Sequence, residues 1–268
     1  MVRKLMKYDF LSYLRSLIPM DIVLLAIAVI TRLIQLTEDD STSYRILLIS
    51  SVTALAIACI VAVVMTVVLC VGRFYRSMFA AEGYLSLTLP VTHGQHILSK
   101  ALSSVIVSAV TAVSVLVALA IASAGDLLTE IVKAGAYIVR KAAEVVGSGR
   151  LTLWGVEGLI LLITGTAALY LMFYFAFTVG QTAKKNRILA AIGVLFGLYL
   201  LTQIIGTIGI VISVANPEIP ERILEWLENM KENAPTVVMA IMIAVYVILG
   251  TVYGLLVRTI MRKKLNLE

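Results

Sequence analysis

The chain has 268 residues, of which 60% are hydrophobic and only 14% are charged, whereas about a quarter of the residues in an ordinary soluble domain are charged. This composition excludes a water-soluble globular protein. Several apolar stretches exceed the ~20 residues that a helix needs to cross a hydrocarbon core. The net charge of +6 would suit nucleic-acid binding in a soluble protein, but the basic residues fall between alternate apolar stretches. They therefore indicate topology, and we expect no nucleic-acid partner.

Residues 2–17 precede the first apolar run and carry apolar side chains at spacings of three and four, with basic residues between them. This pattern predicts an interfacial helix on the inner leaflet. The charged residues and the length of the first apolar run argue against a cleavable signal peptide, so we expect the first span to be retained. The apolar positions are Val2, Leu5, Met6, Phe10, Tyr13, Leu14 and Leu17.

Six apolar runs predict six transmembrane helices in one membrane domain that covers residues 1–268, an all-α fold. Cys59 and Cys70 lie eleven residues apart in the second span, about 16 Å along a helix, so they are too far apart for a disulfide. The spans are near 17–36, 46–71, 98–124, 151–180, 188–215 and 237–257.

Lysine and arginine residues concentrate on one predicted side of the membrane. The N-terminus, the segment after span two, the segment after span four and the C-terminal tail hold fourteen of the 22 basic residues. The opposite side contains Glu38, Asp39 and Asp40, a mixed segment and an acidic stretch. Since short cytoplasmic loops retain lysine and arginine, we expect both termini to face the cytoplasm.

Two segments on the opposite side have helical periodicity. In 126–146 an apolar stripe runs from Leu127 to Val146 and ends at Gly147-Ser148-Gly149. In 218–230 the residues Ile219, Ile223, Leu224, Leu227 and Met230 stand against Glu221, Arg222, Glu225 and Glu228. Both predict outer amphipathic helices that either lie on the membrane surface or cap an exit.

Ionisable and polar residues inside spans are candidates for a transport path or a dimer interface. Asp21, Arg32 and Glu157 lie near predicted span ends, where interfacial placement competes with a functional role. Glu157 follows Trp154 in span four and is a candidate contact for a cationic substrate. In span five, Thr202, Gln203 and Thr207 lie among glycines, which predicts either a hydrogen bond between packed helices or a transport-path or dimer-axis position.

Motifs for catalysis and cofactor binding are missing. The sequence has no Gly-x-x-x-x-Gly-Lys-Ser/Thr segment, so the chain itself does not hydrolyse ATP by the P-loop route. His93 and His96 are three residues apart after span two. Two imidazoles can share a metal ion only with further ligands, and none is close in sequence, so we expect solvent-facing loop histidines and no metal site.

The segment after span two is long and aromatic. It reads Arg-Phe-Tyr-Arg-Ser-Met-Phe-Ala-Ala-Glu-Gly-Tyr-Leu-Ser-Leu-Thr-Leu-Pro-Val-Thr from Arg73 to Thr92 and continues to Ser99 and Lys100. A cytoplasmic connection of this length, with Phe74, Tyr75, Phe79 and Tyr84 exposed, is expected to bind a partner.

At this segment the chain resembles the permeases of bacterial type-two ABC exporters, especially small permeases of antimicrobial-peptide resistance and efflux systems. In that family a basic and aromatic helix follows span two, then a Glu-Gly-Tyr-Leu-x-x-Thr-Leu-Pro-Val run and a Ser-Lys pair that enters span three. The resemblance covers about thirty residues closely and the remaining chain only in span order. The matching residues are Glu82, Gly83, Tyr84, Leu85, Thr88, Leu89, Pro90, Val91, Ser99 and Lys100.

The resemblance implies a bacterial cytoplasmic membrane location and a transporter of two permeases, either two copies or two relatives, with two ABC ATPase subunits that bind ATP and Mg²⁺. This chain would bind no cofactor and lie in membrane lipid, exporting a hydrophobic or amphipathic substrate such as an antimicrobial peptide or a drug. Segment 73–92 would form a cytoplasmic coupling helix that docks on the ATPase. Its implied coupling residues are Arg73, Phe74, Tyr75, Arg76, Phe79, Glu82, Gly83, Tyr84 and Pro90.

Other function classes remain open from the residues alone. An ion-coupled secondary transporter needs titratable groups near the midplane, and few are present. A non-transporting membrane scaffold is a further alternative. An intramembrane enzyme needs a nucleophile, a base or metal ligands that converge, and the two histidines do not supply them.

Overall fold

The computed structural model describes residues 2–37, 41–79, 92–123, 126–183, 185–230 and 233–264. Regular structure in these ranges is entirely helical. The helices are α1 (Val2–Gln35), α2 (Thr42–Phe79), α3 (His93–Ala122), α4 (Asp126–Val146), α5 (Ser148–Gly180), α6 (Arg187–Ala215), α7 (Glu218–Met230) and α8 (Ala234–Lys264).

Six of these helices are long and apolar enough to cross a membrane. They are α1, α2, α3, α5, α6 and α8, so the prediction of six spans is confirmed. Most of their surface is not covered by the protein, because at most 28% of the residues in their most apolar windows are buried. Exposed leucine, isoleucine and valine side chains on this scale require a lipid solvent. The chain is therefore a multi-pass membrane protein.

The N-terminal segment differs from the prediction, because it does not form a helix separate from the first span. Residues 2–17 continue without a break into the first span, and Pro19 lies inside the 34-residue helix α1. Tyr13 and Leu17 of the predicted interfacial stripe are 3% and 1% exposed. The same helix face continues to Leu24 and Ala28, so the stripe is the beginning of one long packing face, which its three- and four-residue spacing equally fits.

The chain divides into two compact units. The first unit contains α1, α2, α3 and most of α4. In this unit α1 packs most closely on α3. The two helices run parallel, because the partners on them keep a nearly constant separation of 91 to 93 positions in the sequence. These partners are Asp9 and Lys100, Tyr13 and Ser104, and Asp21 and Ser114.

Helix α2 completes the first unit through polar and apolar contacts. The hydroxyl groups of Thr66 in α2 and Thr111 in α3 lie 2.9 Å apart in a buried environment. The Thr31 hydroxyl of α1 donates to the Ile27 carbonyl of its own helix over 2.9 Å and also lies 3.3 Å from the Ser51 carbonyl oxygen of α2. The apolar core of this unit consists of Leu24, Ala28, Leu55, Ala62, Ala118 and Ala122.

The second unit contains α5, α6, α7 and α8. Its closest pair, α5 and α8, is also parallel, because Trp154 donates to the Thr236 hydroxyl over 3.1 Å near one end and Phe175 contacts Tyr253 near the other. Between these contacts, a β-carbon added to Gly250 of α8 would lie 3.6 Å from the α-carbon of Ala168 in α5. A small residue here lets two helix backbones approach closely in the membrane.

The two predicted outer amphipathic segments are helical. Helix α4 is separated from α5 by Gly147, whose φ of +90° is a conformation that other residues rarely adopt. Helix α7 has no buried residue. Each joins two spans, and this agrees with the chain order predicted from the sequence.

Candidate functional site

A buried ion pair joins the first parts of α1 and α3. The Lys100 ammonium lies 3.1 Å from Oδ1 of Asp9, and the two side chains are only 4% and 12% exposed. The Ser99 hydroxyl makes a long hydrogen bond of 3.5 Å to the other carboxylate oxygen. Because charged groups are costly to remove from water unless they are paired and hydrogen-bonded, each helix holds the charge of the other in place.

The positions of these residues on their helices explain the pairing. Asp9 and Lys100 each lie seven residues after the start of their helix, about 10 Å along the axis. Parallel packing brings equivalent levels of α1 and α3 together. Asp9 is also four residues before Tyr13 and eight before Leu17, so all three lie on the buried face of α1.

More polar groups surround the pair. Ser104 of α3 lies against the Tyr13 hydroxyl, and Cys70 and Arg73 of α2 are within electrostatic range of it. Ser99 and Ser104 are 1% and 0% exposed. We refer to Asp9, Tyr13, Ser99, Lys100 and Ser104 as the junction cluster. It connects α1 and α3 beside the end of α2.

The junction cluster lies where the chain segment between α2 and α3 is attached. At the α2 end Phe74, Ser77 and Met78 are buried. At the α3 end the Thr92 side chain accepts a hydrogen bond from the Gln95 amide, and the Gln95 side chain bonds back to the Thr92 amide. This capping box fixes the start of α3, and the buried Ile97 follows it. Both attachment points are therefore firmly packed.

The chemistry of the cluster is that of a structural joint. Its carboxylate is occupied by an ammonium and a hydroxyl, an arrangement that suits positioning more than proton transfer. Across the described part of the chain, no group of three histidine, cysteine, aspartate or glutamate residues is arranged to hold a metal ion. Cys59 and Cys70 are not joined by a disulfide.

The basic and aromatic residues predicted for coupling continue α2 to its end at Phe79. Arg73, Tyr75 and Phe79 are half-buried and Arg76 is exposed, but Phe74 is 0% exposed. The expected exposure of Phe74 is therefore wrong: this ring belongs to the packed stem of the segment. Glu82, Gly83, Tyr84 and Pro90, together with the rest of 80–91, lie outside the described residues.

The residues predicted for a transport path or dimer interface lie on two helices, α5 and α6. Glu157 is half-buried in α5. Thr202, Gln203 and Thr207 are exposed on α6, a helix in which Ala191 is the residue buried in the structure. Gln203 donates to the Tyr199 hydroxyl of its own helix over 2.9 Å, so the amide has a partner without an interhelical bond.

Two further sequence expectations are revised. The sequence predicts a solvent-facing loop position for His96, but this residue lies inside α3, one helical turn before Lys100, and is 2% exposed. The side chain of His93 is outside the described part of the structure. Asp21, expected near a span end, lies well inside α1 with Ser114 of α3 as a neighbour. Arg32 is half-buried one turn before the end of α1, which agrees with interfacial placement.

Asp9 is the functional candidate that sequence reasoning missed. Its signal was present, because a carboxylate at the fourth position before Tyr13 shares the face of an otherwise apolar stripe. The sequence does not identify its partner in the same way, because Lys100 belongs to a group of basic residues that indicates a cytoplasmic segment.

Comparison with known proteins adds no relative. No family model, curated protein or solved structure matches the chain.

Proposed function

We propose that the chain is the permease subunit of an ATP-driven exporter. The observation that carries this proposal is the packing of both attachment points of segment 80–91, with Phe74 and Met78 buried on one side and Ser99 and Lys100 on the other. A partner that moves this segment then moves α2 and α3, and the Asp9–Lys100 pair carries the motion to α1. Rigid attachment is what a coupling element requires.

The length of α2 supports a docking site beyond the membrane. Its 38 residues extend about 57 Å, nearly twice the ~30 Å thickness of a hydrocarbon core. The half-buried Tyr75 and Phe79 and the exposed Arg76 are at its far end. In this proposal they contact an ABC ATPase subunit that itself binds ATP and Mg²⁺, since aromatic and arginine side chains dominate binding energy at interfaces.

A groove in the first unit supports a hydrophobic or amphipathic substrate. It has a volume of about 630 Å³ and runs between α1 and α2, within the ~300–1,000 Å³ range of small-molecule sites. Its walls are apolar and include Pro19, Val23, Ile27, Ala54 and Ile57. Antimicrobial peptides and lipophilic drugs have the apolar surface that such walls accommodate.

The complete transporter in this proposal contains two permeases and two ATPase subunits in a bacterial cytoplasmic membrane. Helix α6 offers a surface for the second permease, because it is exposed around Thr202, Gln203 and Thr207. Its Gly206 and Gly209 have open space beside their α-carbons, which permits another helix to approach. Glu157 remains the candidate contact for a cationic group of the substrate.

The test is co-purification of the tagged chain with a P-loop ATPase from native membranes. Tyr75→Ala and Phe79→Ala should leave the chain in the membrane but release the ATPase, because truncation of one buried interface aromatic costs about 2 kcal/mol, or roughly a thirty-fold loss of affinity. Glu82→Ala should keep the complex and lower the transport achieved per ATP hydrolysed.

Tyr137→Ala is the matched control, since it removes an exposed aromatic ring from α4 on the predicted opposite side. It should retain the ATPase fully. The proposal would lose its basis if Tyr75→Ala and Phe79→Ala recovered as much ATPase as the Tyr137→Ala control. It would also lose its basis if no ATPase co-purified with the chain.

Asp21 favours one competing function. A carboxylate well inside α1, beside Ser114, is the kind of group that an ion-coupled transporter uses. The two functions differ in energy source, because an exporter of the proposed kind requires ATP. An ion-coupled carrier would instead transport in ATP-free vesicles under an imposed proton gradient. Asp21→Asn should abolish that gradient-driven transport.

A further inference from the structure

Helix α7 has an apolar stripe that the described part of the protein leaves largely exposed. Ile219, Ile223 and Trp226 are 41%, 52% and 46% exposed, and Leu227 and Met230 continue the same face. No residue of this helix is buried. A thirteen-residue helix with this surface is not stable alone in water, so its apolar face requires a contact.

The opposite face of α7 is acidic. Glu221, Glu225 and Glu228 are exposed there, and Arg222 pairs with Glu218 over 3.1 Å at the surface. Carboxylates of this density remain in water. The helix thus separates an apolar side from a hydrated side along its whole length.

The connections of α7 fix its level relative to the membrane. Only Asn216 and Pro217 separate it from the end of α6 at Ala215, and α8 begins at Ala234, shortly after Met230. Both neighbours are candidate spans, so their ends lie at a membrane surface. Two residues reach at most about 7 Å. The helix is therefore held close to the plane in which lipid headgroups meet acyl chains.

We propose that α7 lies in the lipid–water interface of the bilayer, with Ile219, Ile223 and Trp226 in the acyl-chain boundary and the glutamates in water. The partner of the apolar stripe is a leaflet of zwitterionic phospholipid. Its acidic face distinguishes it from the basic amphipathic helices that bind anionic lipid, and repulsion disfavours an anionic surface. This inference does not depend on the proposed exporter function.

The test uses the fluorescence of Trp226 in the full-length chain, reconstituted into phosphatidylcholine vesicles. The sequence contains two tryptophans, so Trp154→Phe leaves Trp226 as the sole reporter. We expect blue-shifted emission, strong quenching by bromine atoms near the headgroup end of the acyl chains, and weaker quenching by bromine atoms near the chain ends. The difference between the wild-type chain and Trp226→Phe gives the same information if Trp154→Phe lowers the yield.

Matched substitutions on the two faces sharpen the test. Ile223→Asn should reduce quenching by the brominated lipid, whereas Glu225→Gln on the opposite face should leave it unchanged. Emission typical of water, with quenching by aqueous iodide and none by brominated lipid, would overturn the proposal. Protection from both quenchers would also overturn it, because Trp226 would then be covered by protein.

Discussion

Asp9 and Lys100 illustrate what a single residue contributes when its surroundings exclude water. Another ion pair in the structure, Arg222–Glu218, has the same N–O distance of 3.1 Å, but both of its side chains are 78% exposed. Water screens the exposed pair and leaves it a small net effect. The buried pair carries the full cost of an uncompensated charge if one partner is lost. The two ion pairs thus have the same N–O distance, but their loss should change the stability of the protein by different amounts.

This comparison gives a double-mutant prediction. Asp9→Asn and Lys100→Met should each destabilise the protein by about 3–5 kcal/mol, because each leaves a buried group without its partner. The double variant should recover part of this loss. Unfolding in detergent, followed by circular dichroism, measures the effect. Arg222→Met is the control and should change stability by less than about 1 kcal/mol; additive losses at Asp9 and Lys100 would show that the two residues are not coupled.

At the scale of helices, the turn from α5 to α6 depends on one close approach. A β-carbon on Gly180 would lie 2.7 Å from the β-carbon of Ala191, and 2.8 Å from both the Ala191 nitrogen and the Arg187 carbonyl oxygen. Two of these atoms belong to the backbone, so no side-chain rotation relieves the overlap. Ala191 is the buried residue of α6. The attachment of α6 to its unit therefore requires glycine at this point.

Gly180→Ala should destabilise the protein by about 1–3 kcal/mol, as overpacking commonly does. Gly197→Ala is the matched control in the neighbouring helix, since nothing lies within 4 Å of its added carbon. Because alanine is the better helix former, the control should be neutral or stabilising. Thermal unfolding of both variants in the same detergent compares them, and equal midpoints would contradict the close packing at Gly180.

At the scale of the whole molecule, parallel packing constrains the direction of the spans. The starts of α1 and α3 lie at one level in the first unit, which requires α2 to cross back between them. The contacts of α5 with α8 impose the same condition on α6 in the second unit. The helix contacts therefore show, without the lysine and arginine pattern, that successive spans within each unit run in opposite directions. The lysine and arginine pattern predicts only which side of the membrane is cytoplasmic.

Topology is testable with single cysteines on a Cys59→Ala, Cys70→Ala background. A membrane-impermeant thiol reagent applied from outside should label Asn229→Cys but not Lys185→Cys, because residues 181–187 are predicted to be cytoplasmic and 216–234 external. Lysis before labelling should expose both sites and is the control. Labelling of the cysteine at 185 in intact cells, without labelling at 229, would reverse the predicted orientation.

Sequence patterns predicted the helices well because span length and amphipathic period are local properties. The six spans and both amphipathic helices between spans follow from runs of apolar residues and from stripes such as Ile219, Ile223 and Leu227. Contacts between distant positions could not be predicted in this way. The burial of His96 and Phe74 and the pairing of Asp9 with Lys100 depend on which helices touch, and no local period encodes that choice.

The Asp9–Lys100 pair also has a consequence for biosynthesis. The two residues are 91 positions apart, and the N-terminal part of a chain is made first, so α1 reaches the membrane before Lys100 leaves the ribosome. An unpaired lysine costs about 3 kcal/mol at the centre of a span, and less near the start of the helix, where Lys100 lies. Asp9 is already in place to offset this cost when α3 arrives. We therefore expect α1 to guide the placement of α3, so that the order of synthesis contributes to how this membrane protein acquires its fold.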